Sequence, residues 1–135
     1  MALPDALAAI KTRLTTLGPA LPLVDENTND APPDGPWLQF EFLGASPRIA
    51  GIGAPGGHLV REFGTVLIHV LVPRGTATAT LDGYVATISA LFRATDAGGV
   101  FYDGAPRVDP HEIASEDGAF FGRSIAVDFR HDHIA

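Results

Sequence analysis

Gly51, Gly53 and Gly56, within the stretch GIGAPGG from Gly51 to Gly57, stand at the G-x-G-x-x-G spacing. That spacing lets backbone amides approach a pyrophosphate closely, provided a strand precedes it, a helix opens directly after it and an acid follows about 20 residues on. Here the longest apolar alternation of the chain follows instead, and position 71 is Leu. No helix N-terminus is left to meet a phosphate. A P-loop is absent as well, because the only lysine is Lys11 and no G-K-[ST] occurs.

The other chemistry-bearing residues are sparse. His131-Asp132-His133 has the spacing of metal ligands, but it supplies two imidazoles near a frayable terminus with no third ligand in view, so an exposed polar tail is the expectation. Asp109-Pro110-His111-Glu112 reads as a solvated turn. His69 falls within a strand pattern, where a hydrogen-bonded sheet histidine is expected. Ser46, Ser89, Ser115 and Ser124 stand outside G-x-S-x-G and S-x-x-K contexts. No two carboxylates form a matched acid and base pair. The reading is therefore of a non-enzyme with no catalytic, cofactor-binding or metal-binding residues and no cofactor.

The elements that would position any site follow from periodicity. Leu3, Leu7, Ile10, Leu14 and Leu17 form one stripe of an amphipathic helix, with Pro4 in its first turn and Gly18-Pro19 ending it. Leu21 to Val24 suits a short strand, and the rest of Pro19 to Pro36 reads as loop. WLQFEFL alternates, with Leu38, Phe40 and Phe42 on one face. In LVREFGTVLIHVLVP, both faces turn apolar towards the C-terminal half, which marks a central strand covered on both sides there. Leu81, Tyr84, Val85, Ile88, Leu91 and Phe92 give a second helix, capped by Thr76, Thr78 or Thr80 and closed by Gly98-Gly99. Val100 to Val108 is a weak strand region broken by Gly104 and Pro106. Phe121, Ile125, Val127 and Phe129 mark a last strand. The expected fold is α+β: one domain over residues 1–135, a mostly antiparallel sheet of four to five strands, two helices on one face and a long glycine-rich hairpin.

Composition narrows the function. The 135 residues carry a net charge of −7, with 46% hydrophobic residues, 19% charged residues and no cysteine. That excludes disulfide and thiolate chemistry and disfavours a protein that grips nucleic acid by its phosphates. No apolar run approaches the roughly 20 residues that cross a bilayer, and Met1 to Ile10 lacks the basic start of a signal peptide. The charges are segregated along the chain. Between Arg13 and Arg48 lie Asp25, Glu26, Asp30, Asp34 and Glu41 without a basic residue, whereas Gly44 to Arg61 is acid-free and holds Arg48, His58 and Arg61. The connection from Gly44 to His58 is also apolar at Ile49 and Ile52. It is either a plain exposed loop or an arm that lies on a neighbouring molecule. Chance clustering on a solvated surface and head-to-tail contact between copies both account for the charges.

The succession PPDGPWLQFEFL, a glycine-rich hairpin, REFGTVLIHVLVPRGTATATLDGYVATISALF and FFGRSIAVDFRHD resembles the small tail-terminator proteins of long-tailed phages and prophages. The resemblance implies a ring, usually of six subunits, that caps the head-proximal end of the tail tube and stops its polymerisation. It also implies a virion protein assembled in the host cytoplasm, with the tube protein and a head-completion or stopper protein as partners. DNA would pass through the lumen without specific binding, and no membrane is involved. Inter-subunit or tube contacts are expected at Arg48, Ile49, Ile52, His58 and Arg61, against Asp25, Glu26, Asp30 and Asp34. The alternatives are a head-tail stopper or adaptor and a small ligand-binding domain. If the glycines form only a turn, calorimetry with NAD or ATP will show no stoichiometric binding at micromolar affinity. Such binding would overturn the reading of GIGAPGG.

Overall fold

A computed structural model describes residues 2–25, 33–52, 57–102, 104–109, 112–115 and 117–134, with Ile52 described by its backbone alone. The elements run α1 (Leu3–Leu17), β1 (Leu23–Asp25), β2 (Trp37–Ile52), β3 (His58–Pro73), α2 (Thr78–Leu91), β4 (Thr95–Ala97), β5 (Val100–Tyr102), β6 (Arg107–Val108), β7 (Ile113–Ala114) and β8 (Phe120–Ile134). The class is α+β, as expected, but the sheet has eight strands in place of four to five. Its order is β1-β2-β3-β8-β5-β4, and β6 and β7 also pair with β8. The extra strands are two or three residues long, too short to leave a period in the sequence. All described pairings are antiparallel except β1 with β2.

The core forms where the sheet's apolar face meets the helices. Leu38 and Phe40 of β2, Val66, Ile68, Val70 and Val72 of β3, and Ile125, Val127 and Phe129 of β8 are buried in one cluster. Ala6, Ile10 and Leu14 of α1 and Leu81, Val85 and Ile88 of α2 close it. Arg13 of α1 donates Nε–H to the Leu91 carbonyl at 2.9 Å, which satisfies one of the last acceptors of α2 and ties the helices together. None of the candidate threonines caps α2: its N-cap is Ala77, with no side-chain hydrogen bond. Gly98 and Gly99 do not end the helix either. Both take positive φ, 62° and 82°, and make the two-residue turn between β4 and β5 that such conformations favour.

β3 is central, between β2 and β8, and its second face is covered at its C-terminal end. There Trp37, Leu71 and Phe120 form a smaller cluster with Val24 and Ile113, Trp37 meeting Phe120 edge-on at 5.9 Å. At its other end β3 outruns the helices. Gly64 marks the limit, because the Phe129 ring lies where a Cβ would stand (2.5 Å). Beyond it, strand pairing continues to Ile52↔His58, so most of the expected connection from Gly44 to His58 is strand; residues 53–56 lie outside the described residues. β2 bears register shifts at Phe42/Gly44 and Ile49/Gly51, and Gly44 takes φ +145° at the first, a backbone geometry open mainly to glycine. No helix among the described residues is long and apolar enough to cross a membrane.

Tyr102 is buried against Phe92, with ring centroids 5.0 Å apart, and its hydroxyl has no hydrogen-bond partner among the described residues. Burial pushes this phenol up to about 12. A pKa raised on folding gives a contribution that is whole below about pH 10, the unfolded value, and is lost as pH rises towards 12. Tyr102→Phe removes an unsatisfied buried hydroxyl, so it is expected to stabilise the fold by about 1 kcal/mol and to flatten this alkaline loss. Thermal midpoints of both proteins at neutral pH and through the alkaline range check both outcomes.

Candidate functional site

The face of the sheet away from the helices carries the polar side chains of the three long strands, because residues alternate across a strand. Gln39↔His69 and His69↔Ser124 are direct cross-strand partners. His69 Nε2 lies 2.7 Å from Glu41 Oε2, and His69 Nδ1 lies 2.7 Å from Ser124 Oγ. Nε2 thus faces the Glu41 carboxyl and Nδ1 faces the Ser124 hydroxyl. This serine–histidine–acid row reverses the ring nitrogens used in hydrolases, where serine meets Nε2. Ser124 is also only 5% exposed, inside a strand, so it ties strands rather than attacking a substrate. His69 is the hydrogen-bonded sheet histidine anticipated.

Farther along the same face, ion pairs bridge neighbouring strands. Arg61 donates twice to Asp132, at 2.8 and 3.0 Å. Thr65 donates to Asp128 at 2.7 Å, and Arg107 from β6 donates to the same carboxylate. Arg107 holds the Asp128 carboxyl below the usual carboxylate range, with help from Thr65; Arg61 does the same for Asp132. Two cation–aromatic contacts complete the surface: Arg48 over Phe63 at 5.3 Å and Arg130 over Phe101 at 4.4 Å.

The residues singled out from sequence are distributed unevenly. Arg48, Ile49 and His58 are exposed on the projecting β2–β3 arm, Ile49 by 66%. Arg61 is on the same arm but is engaged within the chain by Asp132, because the strand from Phe120 continues far enough to bring Asp132 opposite it. Asp25 pairs with Lys11 at 2.8 Å, close to the helices, and Asp34 is exposed. Glu26, Asp30 and the Ile52 side chain lie outside the described residues, as do Pro110 and His111 of the expected turn.

The expected polar tail is overturned. His131, Asp132 and His133 belong to β8 and pair with Glu62, Arg61 and Val60. His131 is fully buried and stacks between Phe129 and His133. Alternation had stopped at Phe129 to the eye because histidine replaces an aliphatic residue on the inward face. His131 Nε2 and His133 Nδ1 each lie 3.8 Å from Glu62 Oε1, a stacked polar cluster. Among the described residues no group of three His, Cys, Asp or Glu is arranged to hold a metal ion. Phe63, Phe101, Arg130 and Asp128 were missed by motif reading, and Asp132 was noticed only for its place between two histidines; the available signal was the continued alternation of FRHDHI.

Depressed carboxyl pKa values contribute stability that is present above the unfolded value of 3.8 and is lost as pH falls through the folded one. The sheet is therefore expected to lose stability on acidification below about pH 4. Asp128→Asn should lower the thermal midpoint at neutral pH and shrink that acid loss; an unchanged acid profile would show that the Arg107–Asp128–Thr65 contacts contribute nothing.

A family model described as phage tail terminator protein matches residues 5–117. No curated protein matches. One solved structure is similar over 97% of this chain and 96% of its own, at 21% identity and a TM-score of 0.67, a likeness of fold alone.

Proposed function

The chain belongs to the phage tail terminator family, and from that premise we propose that it assembles as a ring of six copies that caps the head-proximal end of the tail tube. Members of this family are structural proteins, and the chain is a structural component of a phage tail. In the proposed role the ring stops addition of tube subunits, offers its other side to a head-completion or stopper protein, and lets DNA pass through its lumen without specific contacts. Assembly takes place in the host cytoplasm and ends in the virion.

The observation that carries this reading is the arm. β2, β3 and β8 run past the helix layer and leave Leu43, Ile49, Phe63 and Ile134 exposed, although a chain of this size could cover such side chains in its own core. Burying Ile49 and Ile52 against a neighbour or the tube would contribute ~1.5–3 kcal/mol each, repeated around the ring. Arg48 and His58 stand beside them without an ion pair among the described residues, ready for an acidic partner such as the segment with Asp25, Glu26, Asp30 and Asp34. Arg61 enters through its pair with Asp132, which stiffens the arm.

Purified tail tubes test the function directly. The wild-type chain should bind one end of the tube and halt elongation, seen by electron microscopy as a fixed length distribution on addition of free tube protein. Ile49→Asp and Ile52→Asp should leave the thermal midpoint of the monomer within about 2 °C of wild type, the scale of a surface substitution, and abolish capping. If both variants cap normally, the arm is a plain connection; if tubes bind the chain only when another neck protein is already present, it is a stopper or adaptor.

A further inference from the structure

The arm itself divides in two. Up to the row Pro47↔Glu62↔His131 the sheet still touches the core, because His131 is fully buried and lies opposite Val100. Beyond it stand the rows Arg48↔Arg61↔Asp132, Ile49↔Val60↔His133, Gly51↔Leu59↔Ile134 and Ile52↔His58. No described side chain of these rows is buried or belongs to either apolar cluster. β5 accompanies β8 only as far as His131, and β1 leaves β2 at Phe40. Among the described residues, both edges of this tip are therefore bare.

A three-stranded ladder without a packed face is marginal in water, and backbone hydrogen bonds that solvent can reach open before those of a core. Opening that starts at Ile134 runs inward along β8, and the last row it meets before His131 is Arg61↔Asp132. There Arg61 grips both carboxylate oxygens, Nε donating to Oδ1 at 2.8 Å and Nη2 to Oδ2 at 3.0 Å. A bidentate pair of this kind fixes both strands and must lose two hydrogen bonds before they part. On the other face the His133 ring stacks on His131 at 5.8 Å, which lays the next row back against the buried one. Arg48, over the Phe63 ring at 5.3 Å, ties β2 across the same boundary.

We infer that the tip (Arg48 to Ile52, His58 to Arg61 and Asp132 to Ile134) is a strap that opens and closes separately from the core, with Arg61–Asp132 as its latch. Its role in assembly rests on the ring reading; the latch itself does not. Ile49 and Ile52 keep fixed positions only while the tip is paired, so docking draws on the closed fraction alone. Arg61 and Asp132 act through the tip and need touch no partner.

Hydrogen exchange of the full chain, followed residue by residue by NMR, reads the outcome. Hydrogen-bonded amides of residues 58–61 and 132–134 should exchange on the order of a hundredfold faster than those of residues 66–72. The latch side chains are 36% and 27% exposed, so its effect is that of a partly screened pair. Asp132→Asn and Arg61→Gln should each speed the tip by about three- to fivefold and together do little more than either alone. Residues 66–72 should be unchanged in all three variants. Tip and core amides that exchange at one rate overturn the separate strap. A tip unmoved by either variant, variants whose effects add in full, or core amides that speed up equally overturn the latch. With tail-tube ends in excess, tip exchange in the wild type should slow; unslowed exchange in a chain that caps normally overturns the role in docking. A chain that shows the strap and latch but never binds tubes supports this inference and overturns the ring reading alone.

Discussion

Two lengths that cannot be matched shape this protein. A helix of 15 residues spans about 22 Å, whereas a strand of 16 residues spans about 50 Å. The two helices therefore cover one end of the β2–β3–β8 ladder; beyond Gly64 the buried His131, opposite Val100 of the core, carries the packed face one step farther before Ile49 and Ile134 stand exposed. Phe129 folding over Gly64 closes the core at that boundary. Past it, stability comes from pairing on both sides of β3 and from contacts between side chains of adjacent strands.

Those contacts show how a thin sheet is held. Glu41–His69–Ser124 links β2, β3 and β8; Arg61–Asp132 links β3 and β8; Thr65 and Arg107 meet on Asp128 and link β3, β8 and β6. Each joins different strands, so each resists shear between neighbours and a slip of register. Groups that could be mistaken for catalytic machinery are explained by this demand.

The sequence made the covered part of the fold legible and the arm much less so. Where side chains meet a helix layer, apolar periodicity survives, and α1, α2, β3 and the inward faces of β2 and β8 follow from it. Where the sheet is one layer thick, both faces are mixed and alternation fades: the strand character of Ala45 to Ile52 and of Arg130 to Ile134 was hidden by small, polar and imidazole side chains. The register shift at Phe42/Gly44 adds to this, because it changes which parity faces the helices. The glycine pattern at Gly51 to Gly57 scans as a phosphate loop because glycine spacing alone carries no structural context; Gly51 itself lies in β2 opposite Leu59. Arg48, Ile49 and His58 were recognised as surface residues, but Arg130 and Phe101, distant in sequence, become their neighbours only through the strand order.

The outer edge of β2 has a further consequence for the life of the free subunit. Beyond Phe40 it meets no strand among the described residues, and a long bare edge is a template on which identical chains stack without limit. Pro47 lacks the amide that such stacking needs, and the two register shifts bend the edge out of the flat geometry that fibrils require. The bare edge is thereby a poor template for open-ended stacking of identical chains.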